Sequence, residues 1–278
     1  MRKKNFYFAL LIGITFTNWI YWKCIVRRKW FAIKNVSIQP LPITNNPFLV
    51  IIVTSYVGHV KLRSAHRKAY PAEELRKINA TRVFLIAQIP DQEKGITQSA
   101  INDESETFGD ILQGTFDDTY RNLTHKLLMG LVWASTACQD ASFILKVDDD
   151  TVYNLEKTYE VLKSVDYSTP ILLGYINKDV KPERNKKSKY YVTLDEYPRQ
   201  VYPPYLSGFY YITTPRVAAA LCDEAIYHPY LCIEDIFVTG ILAEALNIML
   251  TELPNTYWID NIMNCDYVVG PKYFDCRF

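Results

Sequence analysis

The sequence predicts a mixed α/β domain, a central sheet with helices wound on both faces, and three observations point there. Apolar runs rich in β-branched residues (FLVIIVT, RVFLIA, SFILKV) alternate with segments of helical period. Hydrophobic residues make up 49% and aromatic residues 14% of the 278, enough to fill a large core and too many for a disordered or low-complexity chain. After residue 46 no repeat or change of composition divides the chain, so 47–278 reads as one domain. The balance of 31 Lys+Arg against 30 Asp+Glu leaves a net charge of +1, which argues against a general polyanion-binding field and a nucleic-acid partner.

Taken in order, Phe6–Trp22 is an uncharged run behind Arg2, Lys3 and Lys4. A bilayer crossing needs roughly 17–25 residues, and Trp19, Tyr21 and Trp22 suit the membrane interface. No small-x-small cleavage site follows, so the expectation is a retained signal anchor at 6–22 with a cytoplasmic tail at 1–5. Residues 23–46, basic and then interrupted by Pro40 and Pro42, read as a short stem. Expected strands are Phe48–Thr54, Arg82–Ala87, Ser142–Val147, Ile171–Leu173 and Gly208–Ile212. Expected helices are Arg63–Tyr70, Asn122–Ala137, Leu155–Val165, Pro215–Ala225 and Ile236–Ala245; Pro215 suits a first helical position behind Thr214 as cap. Lys178–Lys189 is a basic, polar loop. Six cysteines without a CxxC pair, and sequons at Asn35, Asn79 and Asn122, tilt the reading towards an oxidising lumen.

The apolar run Ser142–Val147 ends abruptly in Asp148, Asp149 and Asp150. Ligands of open α/β sheets bind at the carboxyl ends of strands, and like charges crowded there call for a cation. Carboxylate oxygens suit Mg²⁺ or Mn²⁺, which fill their shells with waters and substrate phosphates. Strand alternation would send Asp148 and Asp150 to one side and Asp149 to the other. A solvated acidic turn is the plainer alternative. Glu234 and Asp235 form a second pair, framed by Leu231-Cys-Ile233 and Ile236-Phe-Val238. They are candidates for a general base with raised pKa or for a helix start. Arg63 and Arg67, four apart on one helix face, suit a diphosphate clamp or a solvated basic face.

From about Phe48 to about Ala245 these pieces resemble the β-1,3-galactosyltransferase family, the inverting glycosyltransferase family 31. Arg63-Ser-Ala-His-Arg67-Lys-Ala-Tyr70 is similar to its RxxIRxTW motif, with Tyr70 in place of Trp. Phe108-Gly-Asp-Ile-Leu112 and Thr115–Lys126 resemble ygDil and dFxDxYxNLTxK. Cys138 followed by Phe143–Asn154 resembles C(x)nfxlKxDDDxfxN. Lys189–Pro198, Tyr202–Tyr211 and Glu234–Gly240 resemble KwYvsxxeYP, YPpYxxGxgY and EDVxxG.

The resemblance implies a GT-A fold and transfer of a hexose, galactose first, from a UDP-sugar to the 3-hydroxyl of a glycan acceptor on glycoprotein or glycolipid. It implies Mn²⁺ held by Asp148 and Asp150 and contacts to the nucleotide from Asp148, Asp149, Arg63 and Arg67. Asp235 would be the base with Glu234 beside it, and the location a Golgi membrane, as a single-pass type II protein. An N-acetylglucosaminyltransferase with the same machinery, or a non-catalytic lumenal family member, stays open. Phe209 and Tyr210, standing where the family often has glycines, are expected to narrow a pocket or redirect an acceptor.

Overall fold

A computed structural model of the chain describes residues 35–43, 46–166, 168–253 and 269–271. Eight strands form one mixed sheet: β1 (Val36–Ile38), β2 (Leu49–Thr54), β3 (Ala80–Gln88), β4 (Ile111–Asp117), β5 (Phe143–Asp148), β7 (Leu172–Asn177), β8 (Tyr205–Thr213) and β9 (Leu250–Glu252). Their order is β1-β4-β3-β2-β5-β8-β7-β9. Strands β4, β3, β2 and β5 run parallel, and β8 is antiparallel to both β5 and β7. A separate ribbon pairs β6 (Thr151–Tyr153) with β10 (Val269–Pro271).

Residues of β2 are buried on both faces, as a central parallel strand requires. Val50 and Ile52 pack with Leu127, Leu131, Ala218 and Leu221, from the helices Leu123–Ala137 (α4) and Pro215–Ala225 (α6). Leu49, Ile51 and Val53 face the other way, towards Tyr70, Leu75 and Leu162, which puts the helices Val60–Ala69 (α1), Ala72–Lys77 (α2) and Leu155–Ser164 (α5) beside that face. The two-sided winding expected from sequence is therefore present. Thr214 caps α6 by accepting the Val217 N–H, with Pro215 in its first turn.

Three elements differ from those expected. Val36–Ile38, inside the expected stem, is a strand: it pairs with β4 and adds an antiparallel edge to the main sheet. The helix Gln98–Phe108 (α3) escapes a periodicity search because it buries only Ile101 and Glu104; a Thr97 cap and Gly109 at φ 63° bound it. Ile236–Leu242 winds as a π-helix, followed by the short turn Ala243–Ala245. Among the described residues no helix is long and apolar enough to cross a membrane, and the expected anchor, Phe6–Trp22, lies outside them. Cys138, Cys222 and Cys232 are buried thiols without a disulfide; Cys24, Cys265 and Cys276 lie outside the described residues.

Candidate active site

From β2 the chain builds outward through β3 and β4, then returns to lay β5 on the other flank of β2. Neighbouring strands that wind in opposite directions leave a crevice at their carboxyl ends, where α/β folds bind ligands. Thr54, the last residue of β2, is paired with Asp148, the last of β5. A cleft of about 780 Å³ opens above them and reaches the acidic pair on the far wall. Thr54 Oγ1 and the Tyr202 hydroxyl are buried without a hydrogen-bond partner, and both residues line this cleft.

Asp148, Asp149 and Asp150 all line the cleft. The strand alternation expected to separate Asp149 fails because β5 ends at Asp148 and the next two residues form a turn. Asp149 is buried; its Oδ2 accepts from Ser55 Oγ at 2.6 Å and lies 2.9 Å from His59 Nδ1, while its N–H donates to Thr54 O. That contact raises the His59 pKa. Burial pushes Asp148 up to about 6, with Lys146 pulling it down and Glu234 and Asp150 adding to the rise.

Lys146, in the middle of β5, is the hinge of the electrostatics. Its ammonium is fully buried, donates to Asp148 Oδ1 at 2.6 Å and to Gly208 O, and lies 3.5 Å from Glu234 Oε1. Burial opposes its charge, but Asp148 and Glu234 outweigh that cost and raise its pKa. On the far wall, Asp235 accepts the Ile236 N–H at 2.8 Å and the Gly208 N–H at 3.1 Å. Burial, followed by repulsion from Glu234, drives Asp235 up to about 7. The two acidic motifs, far apart in sequence, thus meet through one lysine and one glycine.

A bulge in β8 brings Gly208 there. Gly174 pairs with Tyr211 and Ile176 with Leu206, so the β8 segment between them is longer than the one residue it opposes on β7. A Cβ at Gly208 would lie 3.1 Å from Glu234 Oε1 and 3.2 Å from Asp235 Oδ2. The bulge also splits the expected pair of bulky residues. Phe209 lines the cleft, but Tyr210 is buried beneath it with its hydroxyl 3.0 Å from Thr158 Oγ1. Tyr210 therefore does not shape the pocket as expected.

Arg63 and Arg67 likewise lie away from the expected diphosphate position. Arg63 is fully buried and its five N–H groups are all engaged, by Glu104, Ser55 Oγ, Tyr56 O and Val57 O. Arg67 is held by Asp110 and Glu104, with Phe84 and Phe108 against its guanidinium. Neither lines the cleft. Arg63 acts instead as a pin for the Ser55–Val57 turn that presents Ser55 to Asp149. Tyr70, which stands where the RxxIRxTW motif has Trp, stacks on Tyr153 at 4.3 Å and its hydroxyl donates to Tyr153 O.

His59, Asp118 and Lys126, to which the sequence alone gives no role, also line the cleft. Lys126 is buried and bound to Asp118 and to Ser55 O at 2.6 Å, while Asp118 also accepts the N–H groups of Val57 and Ala87. A lone lysine within an apolar helix, KLLMGLV, or an apolar strand, FILKV, was the available signal: such a residue demands a buried acid.

Among the described residues no group of three or more His, Cys, Asp or Glu side chains is arranged to hold a metal ion. A hard divalent cation that keeps waters and substrate phosphates needs only one or two protein carboxylates. Asp148 and Asp150 offer such oxygens to one cleft, and the upward pull of Glu234 and Asp150 on Asp148 marks negative charge that a cation would relieve. The donor set fits that class of ion.

Residues 61–254 match the family described as galactosyltransferase. The chain is 34% identical over 229 residues to beta-1,3-galactosyltransferase 5 of Gorilla gorilla gorilla, covering 79% of this chain and 74% of that protein. It is 35% identical to the Homo sapiens protein of the same name, covering 74% and 66%. Against beta-1,3-galactosyltransferase 2 of Homo sapiens it is 32% identical over 80% of this chain and 54% of that protein, so it spans about half of that relative. Among solved structures it superposes loosely on the mannosyltransferase PcManGT from Pyrobaculum calidifontis in complex with GDP-Man and Mn2+, with TM-score 0.37, 16% identity, and coverage of 89% of this chain and 65% of that one. With the family match across residues 61–254 and relatives at 34–35% identity, the chain belongs to the galactosyltransferase family.

Proposed function

We propose that the chain transfers galactose from UDP-galactose to a 3-hydroxyl of a glycan acceptor, with inversion, forming a β-1,3 linkage. Family membership supports the reaction class, and the names of the relatives support the sugar and the linkage. One observation carries the mechanism: a carboxylate with a pKa near neutrality, Asp235, faces the same cleft as the strand-end acids Asp148 and Asp150.

Both oxygens of Asp235 are held by backbone N–H groups, which fixes the carboxylate and leaves its remaining lone pairs for the cleft. A base with pKa about 7 is matched to neutral pH and takes the proton of the attacking hydroxyl. Inversion needs one displacement from the face opposite the departing UDP, so a single base is enough. Asp148 and Asp150 would hold Mn²⁺ at the diphosphate, where the ion supplies Lewis-acid stabilisation of the leaving group. Lys146 keeps Asp148 and Glu234 in place across the base of the site. The GT-A reading and the diphosphate position at the β2–β5 crevice rest on this topology and on the family. A single membrane anchor at Phe6–Trp22 and a Golgi location belong to the same proposal, supported by the uncharged run and its flanking bases.

The test is UDP release with and without Mn²⁺ in two variants. Asp235→Asn should lose about 10²–10⁴-fold in kcat while still binding UDP. Asp150→Ala should lose its Mn²⁺-dependent UDP binding. Turnover at the parent rate in Asp235→Asn would overturn the assignment of the base.

A further inference from the structure

We propose that the cleft contains an anion subsite for the acceptor, in which Lys181 and Lys189 receive a carboxylate or sulfate group on a glycan whose hydroxyl faces Asp235. This rests on the galactosyl-transfer reading and adds to it the charge class of the acceptor.

The far side of the cleft is acidic, and its buried cations are already committed, Lys146 to Asp148 and Lys126 to Asp118. The basic stretch Lys178–Lys189 contributes two lysines to the cleft lining, Lys181 and Lys189, and neither forms an ion pair among the described residues. Lys189 Nζ sits 4.8 Å from the centre of the Tyr190 ring and 5.6 Å from that of Tyr120. An aromatic face fixes an ammonium in place without neutralising it, so the charge stays available to an anion. Tyr120 lines the same cleft as Glu234 and Asp235.

This stretch is built rather than loose. Arg184 donates to Val192 O, Thr193 O and Tyr197 O at 2.7–2.8 Å, and the Tyr202 N–H holds Val180 O at 2.9 Å. The acid of this stretch that lines the cleft, Glu183, turns Oε1 to the Asn185 N–H at 2.6 Å. One cation fixed over aromatic rings and a second in the same cleft are a set that a neutral sugar does not need and an anionic one uses fully.

The experiment takes the full chain in detergent with UDP-galactose and disaccharide glycosides matched in neutral, sulfated and uronate forms. At low salt kcat/KM for an anionic form should exceed the neutral form by about tenfold. The ratio should shrink towards one at about 0.5 M salt. The double variant Lys181→Ala, Lys189→Ala should bring the ratio to about one through the acceptor KM. Equal use of neutral and anionic forms, or a preference that survives the double variant, would sink the subsite. A loss confined to the KM for UDP-galactose would give the lysines to the donor instead. Calorimetric titration of the sulfated glycoside onto the UDP-saturated chain separates the two readings. Lysine-dependent binding without turnover refutes galactosyl transfer alone, and turnover of neutral glycosides with no anion binding refutes the subsite alone.

Discussion

Asp235 titrates where it does because burial and Glu234 both oppose its charge, while the two N–H groups and Lys146 only partly offset them. A carboxylate accepts a proton only when ionised, so a raised pKa means activity present above about 7 and lost as the pH falls through it. The kcat/KM profile should show that acid limb. Lys146→Met removes a charge that lowers the Asp235 pKa, so it should move the limb to higher pH. Because Lys146 and Glu234 are both buried, losing the cation should also cost about 3–5 kcal/mol of stability in urea unfolding. An unmoved limb in a folded Lys146→Met chain would detach the lysine from the base. At this scale the sequence shows which acids matter, since apolar neighbours mark Asp148 and Asp235 as partly buried. It hides the fate of Arg63 and Arg67: their spacing reveals a shared helix face, but Glu104 and Asp110 opposite them come from α3 and the loop after it, which no local pattern predicts.

The strands that carry the acids are legible because central parallel strands are apolar runs, and β2, β3 and β5 sit close to the expected positions. Edge and half-polar elements are not. Strand β4, ILQGTFD, is broken by a buried Gln113 whose amide donates to Ala87 O, and α3 is polar over most of its surface. The bulge in β8 is equally invisible, since register is a property of two strands and not of one. It is nevertheless what seats Gly208 against Glu234 and Asp235. Gly208→Ala places a methyl 3.1–3.2 Å from both acids, tighter than ordinary contact, so one of them must shift. A displacement of the base by a fraction of an ångström should lower kcat by about tenfold or more and leave UDP affinity near the parent value. A Gly208→Ala chain with parent kcat would show that the acids tolerate the movement.

Across the whole molecule, the chemistry sits where β2 and β5 part, and the N-terminal edge of the sheet lies three strands away through β3 and β4. Strand β1 covers that edge: Val36 and Ile38 pair with β4, Thr115 N–H donates to Asn35 O, and Val36 packs on the core. Removing it strips an antiparallel partner from β4 and exposes a row of unpaired backbone groups, the feature that makes sheets associate edge to edge. Losing a few ladder bonds and the partly buried Val36 and Ile38 is worth about 2–3 kcal/mol, which for a domain of this size lowers Tm by about 5–10 °C. Deletion of residues 1–39 should therefore give a chain that melts earlier and aggregates at lower concentration, as read by scanning calorimetry and light scattering. The UDP affinity of its folded fraction should match that of a chain beginning at residue 30, because no residue of β1 is among the described residues that line the cleft. Equal melting of the two truncations would return Val36–Ile38 to the role of a stem, and a loss of UDP binding with unchanged melting would mean that the sheet edge communicates with the site.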